Sequence, residues 1–168
     1  MARTMHDRPS DLPRELIELW DHCVGGFALG EDSFHGPRHW RNVYLNAIDL
    51  AQLTDGADVG IVRLFAVLHD ARRLNEGHDP DHGQRAADLA GQLCGTLFEL
   101  DEPRLSILTT ACILHDRGQV SSDLTIGVCW DADRLDLPRV GIAPAPRLMS
   151  TEAGKRRAAS QRSHRPKS

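Results

Sequence analysis

The sequence predicts an all-α fold, a single compact bundle of about six helices. Three observations carry that prediction. Apolar residues recur three and four apart in successive windows. No stretch alternates apolar and polar residues as a half-buried strand does. Segments rich in glycine and proline punctuate the windows, and none is long enough to be an interdomain linker. At 168 residues, the chain suits one domain with a sizeable core.

The first helix is capped by Ser10 or Asp11, with Pro13 in its first turn and Leu12, Leu16, Ile17, Leu19 and Trp20 on its apolar side. A glycine-punctuated loop, GGFALGEDSFHG, leads to a second helix from Pro37 to about Leu53, with Val43, Tyr44, Ala47, Ile48 and Leu50 facing inward. After the turn TDGAD, a third helix runs from about Ala57 to Arg72, with Ile61, Leu64, Phe65 and Leu68 at helical spacing. The polar segment NEGHDPDHG then precedes a fourth helix, roughly Asp81 to Phe98, which turns Ala86, Leu89, Ala90 and Leu93 inward. A fifth covers about Pro103 to His115 and a sixth about Ser122 to Leu135, before the prolines of LPRVGIAPAP break the pattern. Residues 1–10 are expected to be a disordered N-terminus, 11–150 the domain, and 151–168 a basic disordered tail with almost no apolar residues.

The net charge of −4 is unevenly spread. Between residues 11 and 150 there are 22 acidic and 12 basic residues, a balance of −10. A body so acidic argues against extended nucleic-acid binding, which needs basic neutralisation of phosphates. Acidic groups gathered in a cleft favour a divalent cation instead. No apolar run approaches the length of a membrane span, and the N-terminus has no signal-peptide core, so a cytoplasmic location is expected. Cys23, Cys94, Cys112 and Cys129 are widely spaced, with no C-x-x-C pair, and read as reduced thiols.

The apolar run of the third helix ends abruptly in His69-Asp70. The chain has nine histidines, and several fall at helix ends: His35 and His39 open the second helix, His82 begins the fourth, and His115 closes the fifth. Asp131 lies within the sixth, in CWDADRLD. A lone histidine on an apolar helix is ordinarily a hydrogen-bonded core residue. Five of them with aspartates, one or two per helix, describe side chains that a bundle can converge on one cavity. Imidazole together with carboxylate suits Mn, Fe, Ni, Co or Zn, and Mg is also compatible.

The ordered set HWRNV, VLHD, DHG, ILHD and WDADRLD resembles the HD-domain superfamily of metal-dependent phosphohydrolases, over about residues 35–141. HGPRHW and CWDADRLDLPRVGI resemble a bacterial subgroup of it. The resemblance implies that His39, His69, Asp70 and Asp131 hold a primary metal. It implies that His82 and His115 hold a second metal or face the substrate phosphate, so that one or two ions bind per chain. Asp133 competes with Asp131 for the ligand role, and the resemblance favours Asp131. His35, like Asp133, would be an outer partner of the ligands. Asp70, Arg72, Arg73 and Glu76 are the candidates for work on the substrate: Asp70 at the metal, the arginines as phosphate receivers, and Glu76, or Asp79 in the same loop, to activate water or orient a proton. His78 and Asp116 read as surface groups or outer partners. The implied activity is hydrolysis of a small nucleotide or other phosphorylated metabolite by a metal-activated water. The alternatives are a diiron oxygenase built on the same six ligands, and a non-catalytic nucleotide-binding regulatory module. No P-loop, nucleophile elbow or dinucleotide-binding glycine motif is present. The oligomeric state is not legible.

Overall fold

The structure, a computed structural model, describes residues 7–163. Among the described residues there are seven α-helices: α1 (Arg14–Gly25), α2 (Pro37–Gln52), α3 (Val59–Leu68), α4 (His82–Leu93), α5 (Glu102–Leu114), α6 (Leu124–Arg134) and α7 (Glu152–Ser163). No strand occurs among the described residues, only a single bridge between Cys94 and Phe98.

α3 is the axis of the bundle. Ile61, Val62, Leu64, Phe65, Ala66, Val67 and Leu68 are all buried, because α1, α2, α4, α5 and α6 pack around it. A helix apolar all round belongs in the middle. Three helices start on aspartate caps: Asp58, Asp101 and Asp123 accept from the backbone N–H of Ile61, Arg104 and Ile126 at 3.1, 3.0 and 2.9 Å. Pro37 and Pro103 occupy first-turn positions, where a missing N–H is harmless. None of the helices is long and apolar enough to cross a membrane among the described residues. The four cysteines are unpaired, and burial pushes the Cys23 thiol up to about 12.

Three expectations are corrected. The third helix stops at Leu68 rather than Arg72, so His69 is its cap and Asp70 already lies in a turn. Two tight turns there, Ala71 N–H to the Leu68 carbonyl and Arg73 N–H to that of Asp70, replace the helical ladder. The fourth helix likewise ends at Leu93, before Gly95 with its φ of 85°. The third correction concerns the tail. Residues 152–163, expected to be disordered, form α7, which buries Ala153, Gly154 and Ala158. Its docking uses small residues and polar capping, so composition gave no apolar signal. At the other end, Pro9 is buried and Arg8 pairs with Asp21 of α1 at 3.6 Å. The rest of the two expected disordered ends, 1–6 and 164–168, lies outside the described residues.

Candidate metal centre

Four helices deliver one imidazole each to a common point. His39 comes from the first turn of α2, His69 from the end of α3, His82 from the start of α4, and His115 from the end of α5. All four are buried. The meeting of α4 with α5 depends on Gly83. A Cβ there would overlap the Cys112 carbonyl oxygen and lie 3.1 Å from that of Ile113, so only glycine lets His82 reach His115.

Each ring is held by its Nδ1. That atom faces Asp136 Oδ2 at 2.7 Å in His39, the Phe65 carbonyl at 3.1 Å in His69, the Asp79 carbonyl in His82, and the Cys112 carbonyl at 2.7 Å in His115. An oxygen acceptor at Nδ1 fixes the proton there and turns the Nε2 lone pair into the cavity, the arrangement of metal-bound histidines. The rings meet in pairs: His39 Nε2 is 3.1 Å from His69 Nε2, and His82 Nε2 is 3.0 Å from His115 Nε2. Two lone pairs that close require a positive centre between them.

Asp70 stands between the pairs. Its Oδ2 lies 3.7 and 3.9 Å from the Nε2 atoms of His39 and His69, and its Oδ1 lies 3.3 and 3.5 Å from those of His82 and His115. Although buried, Oδ1 makes no hydrogen bond of proper geometry. Such an orphaned atom needs an explanation, and a cation supplies one. His39, His69 and Asp70 can hold an ion together, as can Asp70, His82 and His115.

The electrostatics agree. Burial opposes charge on His39, but the Asp133 and Asp136 carboxylates outweigh it and raise that ring. Burial dominates at His69 and lowers it to about 3. In the second pair, burial opposes charge on His115, but Asp70 and Asp133 push it up to about 9, while burial lowers His82. In each pair, then, burial lowers one ring while neighbouring carboxylates raise the other. Burial alone would raise Asp70, yet the surrounding imidazoles hold it well below the usual carboxylate range.

The structure corrects the fourth expected ligand. Asp131 is wholly buried on another face of α6, accepting from the backbone N–H of Ser150 (2.7 Å) and Thr151 (2.8 Å) and from the Thr151 hydroxyl (2.8 Å). It ties down the start of α7. Asp133 lies beside the histidines instead, with Oδ1 3.2 Å from His39 Nε2 and 3.9 Å from that of His69. Residues two apart on a helix point about 200° apart, so only one of the two aspartates can face the cavity. Despite its burial, Asp133 is held low by His39 and His69. Sequence reasoning also missed Asp136, which orients His39 and accepts from Asn42 at 3.0 Å. Its spacing of three from Asp133 was the available signal.

Arg72 is corrected too. It turns away from the centre and donates to the Gly26 carbonyl at 3.2 Å. Arg73 turns inward, with Nη1 3.2 Å from His82 Nε2. His35 sits with Nδ1 3.1 Å from Asp70 Oδ2, and its Nε2 is 4.0 Å from Oε2 of Glu76, whose side chain is 47% exposed on the loop at the mouth. His78 is exposed, and Asp116 is at the edge, 4.0 Å from His82 Nδ1. A cavity of about 320 Å³ opens onto this cluster, with His35, Asp70, Asp133, Arg73 and Arg139 in its walls. A larger groove of about 470 Å³, between α1, α3 and residues 96–100, contains no histidine and stands apart from this chemistry.

The fold has a solved counterpart. The crystal structure of a predicted HD superfamily hydrolase from an uncultured Thermotogales bacterium matches with a TM-score of 0.72 and 28% identity, over 89% of this chain and 86% of that one. The chain has the all-α fold of an HD domain. No family model and no curated protein matches it. In this HD-domain protein, the HD dipeptide is His69-Asp70, at the point where the buried helix breaks and its end meets the other histidines.

Proposed function

We propose that this HD-domain protein is a metal-dependent phosphohydrolase acting on a small nucleotide or another phosphorylated metabolite. One observation carries the proposal: buried imidazoles, each anchored through Nδ1, aim Nε2 at the buried Asp70 carboxylate, and His39, His69 and Asp70 lie close enough together to share an ion. His39, His69, Asp70 and Asp133 would hold the ion, two neutral nitrogens and two carboxylates in a set suited to Mn, Fe, Co, Ni or Zn. A divalent ion there would act as Lewis acid toward a phosphoryl oxygen and lower the pKa of water to near neutral.

The chain's own groups do the rest. Arg73 and Arg139 place positive charge in the cavity wall, where phosphate oxygens need it. His35 links Asp70 to Glu76 and can pass a proton from its Nδ1 side, inside, to its Nε2 side, facing the exposed carboxylate. The cavity has room for a phosphate with a small organic group.

The test is to strip the protein with chelator, reload it with single metals, and measure phosphate release from nucleotides and sugar phosphates. Release that needs metal, and that Asp70→Ala abolishes, is the expected result. Equal release by stripped and reloaded protein refutes the proposal. Dioxygen consumption by the iron form, without phosphate release, would favour the oxygenase instead.

A further inference from the structure

The two imidazole pairs are alike in spacing, and every ring is anchored through Nδ1, but the charged groups around them differ. Arg73 Nη1 lies 3.2 Å from His82 Nε2 and 3.6 Å from Asp70 Oδ1, two of the three atoms that would ligate an ion at the second pair. Asp133, beside the first pair, has only histidine partners within ion-pair distance among the described residues.

We infer that the Arg73 guanidinium occupies the second cation position, so that the protein binds one metal ion and keeps a fixed organic cation where a two-metal centre has its second. This rests on the metal reading of the first pair given above. The guanidinium stays charged at every accessible pH, so it is a permanent like charge against an incoming ion. Its Nη1 donates into the His82 lone pair that a metal would need.

Arg73 is also held in place. Its Nε donates to the Asn75 carbonyl at 3.2 Å, and its Nη2 to the Gly77 carbonyl at 2.9 Å. That turn is itself braced: Asn75 Oδ1 accepts from Gly77 N–H at 2.9 Å, and Asp79 accepts from Leu74 N–H at 2.9 Å. Asp79 is in turn gripped by Arg85 Nη2 at 2.6 Å. Moving Arg73 aside would break charge-assisted bonds to two carbonyls as well as its contact with His82. The arrangement divides the labour. A guanidinium offers a phosphate oxygen hydrogen bonds and charge, but it cannot lower the pKa of a water as a second metal ion does.

Metal stoichiometry tests this without reference to turnover. Chelator-stripped protein is titrated with Mn(II) in phosphate-free buffer. Bound ion is counted by elemental analysis, and ion–ion coupling is read by electron paramagnetic resonance. Wild type is expected to take one ion per chain with the spectrum of an isolated centre, and His82→Ala is expected to leave that count at one. Arg73→Ala is expected to take two ions with a coupled spectrum, returning to one in Arg73→Ala/His82→Ala. Arg73→Gln, which keeps an N–H donor without charge, serves in the same role if the alanine variant does not fold. If neither folds, the wild-type and His82→Ala counts decide. Two tightly bound ions in wild type overturn the inference and leave the first site standing. A folded Arg73 variant that still takes one ion, or a His82→Ala variant that takes none, overturns it as well. Wild type that binds no ion overturns the metal reading and this inference with it.

Discussion

Replacing Asp131 and Asp133 in turn by alanine separates two carboxylates that stand two residues apart. The Asp131 carboxylate is fully buried and accepts three hydrogen bonds, two from backbone N–H groups and one from a hydroxyl. Losing a side-chain cap costs about 1–2 kcal/mol. Leaving further buried donors unpaired adds about 1–3 kcal/mol. The sum for Asp131→Ala is therefore about 2–5 kcal/mol. For a domain of this size, that lowers Tm by roughly 10 °C. Total stability of about 5–15 kcal/mol leaves the variant folded at low temperature. There its metal affinity should match that of wild type. Asp133→Ala should do the reverse. Its carboxylate faces the Nε2 atoms of His39 and His69, so metal affinity should fall by more than about 100-fold, with a smaller change in the Tm of the stripped protein. Thermal melts of stripped protein and calorimetric metal titrations well below Tm measure both quantities. If Asp131→Ala loses the metal and keeps its Tm, or Asp133→Ala keeps the metal, the assignment of the two residues is wrong.

Ending the chain after Ser150 should lower stability substantially, because it removes α7 and the Thr151 donors to Asp131; an unchanged denaturation midpoint would show that α7 does not support the core. Gly154→Ala should also destabilise, by about 1–3 kcal/mol, although alanine is the better helix former: a Cβ there would overlap the Asp131 carboxylate, and a raised Tm would contradict that packing. Gly83→Ala should weaken metal binding by forcing α4 away from the Cys112 carbonyl, as a titration of the folded variant would register. Burial opposes charge on Asp79, but Arg85 and the Leu74 N–H hold its carboxyl low, so the ion pair stabilises above the unfolded carboxyl pKa of about 3.9. That contribution is lost as pH falls through the depressed folded value, so Asp79→Asn should lower Tm at pH 7 and differ little from wild type at the acid end; a gap that widens on acidification would contradict the sign.

The sequence by itself determined the helical class, helices α1 to α6 and the histidines that would meet. Those features are local. Apolar residues three and four apart, aspartate caps and prolines at first turns act within a few residues of chain. The placement of His39, His69, His82 and His115 at helix ends was legible for the same reason. Tertiary structure decided which aspartate of DADRLD faces the histidines, because that depends on the rotation of α6 about its axis, set by what packs on its other faces. It decided that Arg72 leaves the centre and Arg73 enters it, since the chain departs from the helix at Leu68 and the two side chains follow turn geometry rather than helical spacing. It also made a helix of a segment with a basic composition. α7 is held by a carboxylate 20 residues away and by a glycine that fits against it, and neither interaction exists until α6 and the chain end are brought together.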